Sequence, residues 1–165
     1  MLKLIGAIMI CAACTYMGIR KSNELKNREK ALKGMHAALG QLETEIGFCA
    51  NDLKHAFVNI CKNSDIHEIF EDAAQRIEKF GIRKAWTYAV MNCRAPFLDA
   101  DRELLLMLGT RLGMTDTKNQ LKHIGYMREL INAQANSAKS EYKRLGNIYR
   151  GGGILAGLFI ILVIV

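Results

Sequence analysis

Histidine, cysteine and acidic side chains are the groups in this sequence that could ligate a metal or act on a substrate. The four histidines, His36, His55, His67 and His123, are not spaced with Cys, Asp or Glu in any familiar ligand set. The sequence also has no phosphate-binding loop that ends in Lys and Ser or Thr, and no nucleophile turn around a serine. We therefore predict that the chain is not an enzyme, with no catalytic, metal or cofactor site and no small-molecule substrate.

The five cysteines are expected to pack rather than to react. Cys11 and Cys14 form a C-x-x-C motif inside an apolar segment, where two small packing residues are a better interpretation than a redox pair. Cys49, Cys61 and Cys93 occupy apolar positions of predicted helices, so we expect them to be buried, reduced thiols.

Two groups of polar residues are candidates for binding a protein partner. Glu43 and Glu45 lie on opposite flanks of a predicted buried stripe, where they could border the core, fix the bundle or dock a basic partner. Arg111, Asp116 and Gln120 surround a predicted tight turn, where the choice is between helix capping and partner contact. Both groups are carried forward as candidate partner-binding residues.

The spacing of the apolar residues predicts an all-α fold that positions these groups. The sequence has one proline, Pro96, and few segments alternate with the period of a strand. A heptad-like stripe from Leu25 to Cys49 predicts that one helix continues from the N-terminal segment into the domain. A similar stripe from Leu121 to Leu145 predicts a helix from about residue 117 through residue 150 into the C-terminal segment.

Capping residues predict the helix ends inside the domain. Asn51 and Asp52 can start one helix, and Asp65 with Glu68 resembles a capping box at the start of the next. Gly81 supplies a stop for that helix, because glycine adopts the left-handed conformation that commonly ends a helix.

The second half of the domain is predicted in the same way. A short helix is expected to end before Pro96, and the leucine-rich residues 99–112 are expected to form a central helix buried on several sides. Thr117 with Gln120 is expected to form a capping box at the start of the last helix.

The apolar residues concentrate at the two ends of the sequence. Residues 1–19 carry one charge, Lys3, and residues 151–165 carry none. At about 1.5 Å per residue, the first segment spans a hydrocarbon core of roughly 30 Å; the second, at about 22 Å, must borrow residues 145–148, thin the bilayer or contact the other helix. We expect two transmembrane helices around a domain at residues 20–150. Their small residues are expected to pair: Gly6, Ala7, Ala12 and Ala13 with Gly151, Gly152, Gly153 and Gly157.

The net charge of +7 is concentrated beside these two segments. The positive-inside rule therefore places residues 20–150 in the cytosol, against an anionic lipid leaflet. No aromatic platform alternates with the cations, so nucleic acid is not an expected partner. The cations that we expect to flank the membrane are Arg20, Lys21, Lys143, Arg144 and Arg150.

An export signal is the main alternative for the N-terminal segment. Ala12, Ala13 and Cys14 match the last three residues of a lipoprotein signal, but Cys11 stands where such a signal has leucine. In that case the chain would be an exported lipoprotein or a membrane-anchored helical binding module. The cations that follow the segment oppose export.

Several segments, in their order and spacing, carry a resemblance to a known family. They are MLKLIGA at residues 1–7, ALGQLETEIGF at residues 38–48, Ala85 with Trp86, LGTRLGMTDTKNQLKHI at residues 108–124, and the glycine-rich apolar tail. Together they resemble the stage III sporulation protein AB family of endospore-forming bacteria, essentially from end to end. The chain departs from the family at residues 51–53, Asn-Asp-Leu, where members often have a proline-containing turn.

The resemblance implies a fold, a location and partners. The fold would be a cytosolic bundle of about six helices between an N-terminal and a C-terminal transmembrane helix, similar to the cytoplasmic domain of type II secretion and type IV pilus platform proteins. The location would be the mother-cell membrane that surrounds the forespore. There the protein would couple a secretion-type ATPase, stage III sporulation protein AA, to a channel complex that contains other stage III sporulation membrane proteins.

Overall fold

A computed structural model describes residues 2–47, 52–63, 66–114 and 116–164, and within these ranges the chain forms helices, turns and loops but no strand. The all-α prediction is therefore confirmed. The described residues contain six helices in chain order: α1 (Leu2–Gly47), α2 (Leu53–Asn63), α3 (His67–Phe80), α4 (Ile82–Asn92), α5 (Asp99–Gly109) and α6 (Thr117–Ile164).

The chain divides into two compact units. Unit 1 consists of Met1–Glu29 and Asn136–Val165, and unit 2 consists of Lys30–Ala135. α1 has 46 residues and α6 has 48, so each contributes to both units, as their long apolar stripes predicted. The predicted ranges 1–19, 20–150 and 151–165 separate membrane segments from the domain between them, which is a different division from that into compact units. These ranges stay predictions.

The described parts of the two apolar end segments, residues 2–19 and 151–164, are helical and belong to α1 and α6. However, no helix in the described part of the chain combines the length and the mean hydropathy needed to cross a bilayer. The predicted transmembrane helices are thus not confirmed.

Three aromatic rings form the centre of unit 2. Phe57 of α2, Phe70 of α3 and Trp86 of α4 are fully buried, and their ring centroids lie between 5.3 and 5.6 Å apart. The indole Nε1 of Trp86 donates a hydrogen bond of 2.6 Å to the carbonyl oxygen of Leu105 in α5, which gives the buried N–H its partner. The same ring lies against Gly109, where any side chain would collide with it. This cluster therefore fixes α2, α3, α4 and α5 together.

The long helices line the same core with the predicted stripes. Their buried residues in unit 2 are Leu32, Met35, Leu39, Leu42 and Ile46 from α1, with Ile124, Met127, Ile131 and Ala135 from α6. Met127 was missed by the sequence analysis, and Leu121 is only partly buried. Cys49, the predicted end of the α1 stripe, lies outside the described residues.

The prediction that the helix of residues 99–112 is buried on several sides is wrong. Leu105 and Leu108 of α5 are fully buried, whereas Met107 is 50% exposed. Consecutive leucines point to all sides of a helix, but only the face of α5 toward Trp86 packs on the aromatic cluster. The richness of the segment in leucine therefore overstated its burial.

The predicted end of the helix before Pro96 is confirmed, because α4 ends at Asn92. Arg102 of α5 secures the connection that follows. Its guanidinium donates hydrogen bonds to the carbonyl oxygens of Val90, at 2.5 Å, and Cys93, at 3.3 Å. These bonds satisfy carbonyl groups that the end of α4 leaves without helical partners.

Two helix ends in the first half agree with their predicted signals. Gly81 has φ 75°, and its N–H donates to the carbonyl oxygen of Ile77 at 2.8 Å, so it ends α3 as predicted. Asp52 directly precedes α2, and its carbonyl oxygen accepts from the N–H of Ala56. Asn51 and Asp65 lie outside the described residues.

The start of α6 corrects a prediction. Thr117 is the first helical residue rather than the cap, and the side chain of Gln120 is buried. The cap is Asp116, whose carboxylate accepts from the backbone N–H of Asn119 at 3.3 Å and from its side-chain amide at 2.6 Å. Aspartate and threonine both cap helices well. The capping-box spacing therefore could not distinguish Asp116 from its neighbour Thr117.

Candidate functional site

Glu43, the first candidate residue, is bound within unit 2. Its carboxylate accepts a hydrogen bond of 2.9 Å from the guanidinium of Arg128, and the two side chains are 25% and 37% exposed. Glycines make room for the pair: a Cβ atom on Gly40 would lie 3.2 Å from the guanidinium carbon, and one on Gly125 would lie 2.9 Å from the carboxylate. Glu43 therefore links α1 to α6.

Glu45 makes a comparable link on the other flank of α1. Its carboxylate accepts from the side-chain amide of Asn59 in α2 at 3.1 Å, and Gln41 donates to the Asn59 carbonyl oxygen at 3.4 Å. The opposite flanks predicted for Glu43 and Glu45 are confirmed, since one faces α6 and the other α2. Both carboxylates are engaged inside the unit, which favours bundle fixing over docking of a basic partner.

The candidates around the α5–α6 turn have three different surroundings. Asp116 caps α6, and Gln120 is 6% exposed, so neither offers its polar group freely to a partner. Arg111 is exposed. It lines a groove of about 480 Å³ that we name the turn groove, whose other lining residues are Asn119, Lys122, His123 and Tyr126.

The turn groove is basic and partly aromatic. Among the described residues, neither Arg111 nor Lys122 has a carboxylate partner, and Tyr126 is 60% exposed. The Nε2 atom of His123 is buried and has no hydrogen-bond partner within the same part of the chain. The described ranges contain no group of three or more His, Cys, Asp or Glu side chains that could hold a metal ion.

Of the residues that line the turn groove, the sequence analysis identified only Arg111 as a candidate. Asn119, Lys122, His123 and Tyr126 recur at helical spacing on one side of α6, away from the buried Ile124. That spacing is a usable signal, but it becomes meaningful only when the turn brings Arg111 beside it.

In unit 1, the outer parts of α1 and α6 approach one another at backbone distance. A Cβ atom on Gly153 would lie 2.7 Å from the carbonyl oxygen of Cys14, and one on Gly157 would lie 3.0 Å from the Cα atom of Cys11. A side chain on Gly18 would collide with the carbonyl group of Tyr149. We name this contact the end seam, and its small residues are Cys11, Cys14, Gly18, Ser22, Gly146, Gly153 and Gly157.

The predicted pairing of the two end segments is confirmed at Gly153 and Gly157. Their partners in α1 are Cys14 and Cys11 rather than the predicted small residues. Cβ atoms placed on Gly6, Gly151 and Gly152 would meet nothing within 4 Å in the described part of the chain. Cys11 and Cys14 are packing residues, as predicted. Large apolar side chains surround the end seam and are 55% to 69% exposed: Met9, Tyr16, Met17, Leu155, Leu158 and Phe159.

Polar contacts border the end seam of unit 1. Arg150 donates to the hydroxyl of the fully buried Ser22 at 3.0 Å and to the hydroxyl of Tyr142 at 3.5 Å. Further along the two helices, the guanidinium of Arg28, only 8% exposed, bonds the carboxylate of Glu141 at 3.1 Å. These bonds connect α1 to α6 where the small residues end.

The other predicted membrane-flanking cations remain at the surface of unit 1. Lys21 and Arg20 both pair with Glu24, at 3.0 and 3.6 Å. The hydrogen bond that Lys21 donates to Glu24 and the negative charge of that carboxylate raise the pKa of Lys21, which therefore stays a cation. Lys143 and Arg144 are exposed. A role of these cations at a membrane stays a prediction.

Comparison with known proteins gives a consistent result over nearly the whole chain. A family model described as stage III sporulation protein AB matches residues 3–165. The chain is 27% identical over 176 residues to the stage III sporulation protein AB of Bacillus subtilis (strain 168), and the match covers 99% of each chain. No solved structure matches the chain.

Proposed function

The chain belongs to the stage III sporulation protein AB family, which confirms the resemblance found in the sequence, and on this basis we propose that it is a membrane adaptor. Membership of the family supports a role in sporulation, and the family is not named for an enzymatic activity. In our proposal the protein acts in the mother cell, at the membrane around the forespore. It couples the secretion-type ATPase, stage III sporulation protein AA, to a channel complex with other stage III sporulation membrane proteins.

The end seam is the observation that carries the membrane part of the proposal. Small residues hold α1 and α6 together at backbone distance, while large apolar side chains such as Met17 and Phe159 are exposed around them. In water, an exposed apolar surface of this kind marks a place that another apolar phase or molecule covers. In lipid, close packing of small residues is the usual means of helix association, because the bilayer supplies no hydrophobic force between helices.

The charge distribution supports the same assignment. Residues 151–165 carry no charge. Arg20 and Lys21 directly follow the apolar part of α1, and Arg150 directly precedes that of α6. Each cation near an anionic leaflet contributes roughly 1 kcal/mol to binding. We propose that the paired ends enter the bilayer and that these cations face the mother-cell cytoplasm.

Unit 2 is the part that we propose to meet the ATPase. Its two acidic candidates, Glu43 and Glu45, are engaged by Arg128 and Asn59, whereas the cations of the turn groove have no carboxylate partner among the described residues. The turn groove is therefore our proposed contact with the ATPase. The connection from unit 2 to unit 1 is made by α1 and α6 themselves.

Co-purification from sporulating cells tests the proposal. A tagged chain should recover the ATPase from solubilised membranes, and the double variant Arg111→Glu, Lys122→Glu should lose it. The matched control is Lys79→Glu, Arg94→Glu, which changes the charge equally at two exposed positions of unit 2 outside the turn groove and should recover the ATPase normally. Circular dichroism should show unchanged helix content in both variants.

Each other outcome of this experiment has a meaning. Normal recovery by the groove variant would place the contact elsewhere, and no recovery by the unmodified chain would contradict coupling to this ATPase. Deletion of the gene should arrest sporulation after engulfment; unaffected spores would contradict the biological role.

A further inference from the structure

We infer that Arg150 binds the phosphate group of an anionic phospholipid at the border of the end seam, with Ser22 and Tyr142 holding its guanidinium in place. The inference rests on the proposed function in one respect, because it takes the paired ends of α1 and α6 to enter a bilayer. It goes further by assigning a specific lipid contact to one positioned arginine, whereas the charge distribution alone supports only a general attraction to the leaflet.

The proposed site lies at one level of the α1–α6 pair, where the apolar parts of both helices end. Arg150 directly precedes the uncharged end of α6, and Ser22 follows the first cations after the apolar part of α1. The hydrogen bond of 3.0 Å from Arg150 to Ser22 therefore joins the two borders. Near this level Tyr16 and Tyr149 are 67% and 36% exposed. Tyrosine is enriched where membrane proteins meet lipid headgroups, so this level is the one at which lipid phosphates are expected.

Two hydroxyl groups hold the guanidinium of Arg150. Its Nε atom donates to the hydroxyl of the fully buried Ser22, and its Nη2 atom donates to the hydroxyl of Tyr142 at 3.5 Å. Gly146 allows these two partners to approach, since a Cβ atom there would lie 3.0 Å from the Tyr142 ring and 3.2 Å from the Ser22 hydroxyl. Arg150 is itself exposed, which leaves its other N–H groups available. Paired donors of this kind match two oxygens of a phosphate.

Arg150 also has no negative partner. In unit 1, Glu24 binds two cations of α1, and Glu141 binds the buried Arg28. Other cations of α6, such as Lys139, are exposed, and within the described ranges no hydrogen bond or ion pair holds them. Among the cations of unit 1 whose side chains the structure describes, only Arg150 is both positioned and without a carboxylate. An anion from outside the chain is therefore the missing partner.

The surroundings favour a phospholipid over a soluble anion. Beyond Arg150 in α6, the side chains of Leu155 and Leu158 are 68% and 55% exposed, and acyl chains can cover them. A ligand with a phosphate and apolar chains satisfies both features. Lys143 lies seven residues before Arg150, on the same side of α6, and is exposed. Its charge opposes the amine of a zwitterionic headgroup, so the expected ligand is phosphatidylglycerol.

Native mass spectrometry of the full-length chain in neutral detergent tests the site, because it resolves each lipid that stays bound. The probe is short-chain phosphatidylglycerol, compared with phosphatidylcholine of the same chain length and with inorganic phosphate. Arg150→Gln should weaken binding of phosphatidylglycerol about tenfold, since charge-assisted hydrogen bonds are lost. The matched control, Lys139→Gln, removes the same charge from an exposed position of α6 and should weaken it less than about twofold.

Two further variants separate a positioned site from diffuse attraction. Arg150→Lys keeps the charge but loses the planar set of donors, and it should weaken binding of phosphatidylglycerol roughly fivefold. Ser22→Ala keeps every cation and should weaken it roughly threefold, because the guanidinium loses the partner of its Nε atom. The preference for phosphatidylglycerol over phosphatidylcholine is the readout, since a purely structural role of Ser22 would weaken both lipids equally. Unchanged preference in both variants would overturn the site.

Two results with the first pair of variants would also overturn the inference. They are equal weakening by Arg150→Gln and Lys139→Gln, and tighter binding of inorganic phosphate than of phosphatidylglycerol. The proposed function fails separately. Arg150-dependent binding of phosphatidylglycerol without recovery of the ATPase would remove the adaptor role alone, and recovery of the ATPase by a chain with no lipid preference would remove the lipid site alone.

Discussion

Gly153 and Gly157 determine how closely α1 and α6 approach in unit 1. Each faces the backbone of α1, at Cys14 and Cys11, so a larger residue must either separate the helices or distort them. Gly152, one position away, meets nothing within 4 Å in the described part of the chain. Gly152 and Gly153 are the same residue type, so only their positions around the helix determine which of them faces α1.

Leucine substitution at these positions tests the end seam. Gly153→Leu and Gly157→Leu should each destabilise the protein by about 1–3 kcal/mol, because the added side chain overpacks a close helix contact. Thermal unfolding in detergent, followed by circular dichroism, measures the change. Gly152→Leu is the control and should be neutral or slightly stabilising, since leucine has the better helix propensity. Equal loss of stability in all three variants would contradict the seam.

The chemistry of individual candidates was only partly predictable. An amphipathic pattern placed Glu43 and Glu45 correctly on opposite flanks of α1. It could not show that the partner of Glu43 is Arg128, 85 residues away, because such a pairing depends on how the helices come together. For the same reason the sequence could not show that Nε2 of His123 is buried without a partner.

The helices themselves were predictable to the extent that periodicity and capping determine them. The apolar stripes predicted that α1 and α6 extend unbroken into the end segments, and Gly81 predicted the end of α3. Burial of α5 was overestimated because leucine content does not reveal which face meets Trp86. The start of α6 was predicted to within one residue, but its capping residue was not.

The start of α6 provides a test at two neighbouring residues. Asp116→Ala should destabilise the chain by about 1 kcal/mol, since it removes the acceptor for the backbone N–H of Asn119. Thr117→Ala should change stability by less than about 0.5 kcal/mol, because an exposed residue in the first turn tolerates alanine. Urea unfolding of the two variants measures the difference. A larger effect at Thr117 would restore the capping box that the sequence suggested.

The division of the chain into two units could not be found from the sequence. The unit boundaries fall at residues 29/30 and 135/136, inside α1 and α6, whereas composition predicted boundaries at 19/20 and 150/151. Helical periodicity is the same on both sides of residues 29 and 135, so no local signal marks the change. The predicted boundaries follow apolar content and concern the membrane instead.

The proposed function depends on unit 2 facing the cytoplasm of the cell that makes it. Lys118 is exposed in the first turn of α6 and lies in unit 2, so cysteine at this position should be open to a labelling reagent. Burial raises the pKa of the Cys61 thiol, which therefore forms less thiolate and should react slowly. The unmodified chain measures this background reaction.

Labelling of Lys118→Cys with a maleimide that does not cross membranes is the most direct measurement. Our account predicts no labelling above background in intact cells and strong labelling once the membranes are permeabilised. Strong labelling of Lys118→Cys in intact cells would place unit 2 outside the cytoplasm, beyond the reach of a cytosolic ATPase, and would contradict the adaptor role.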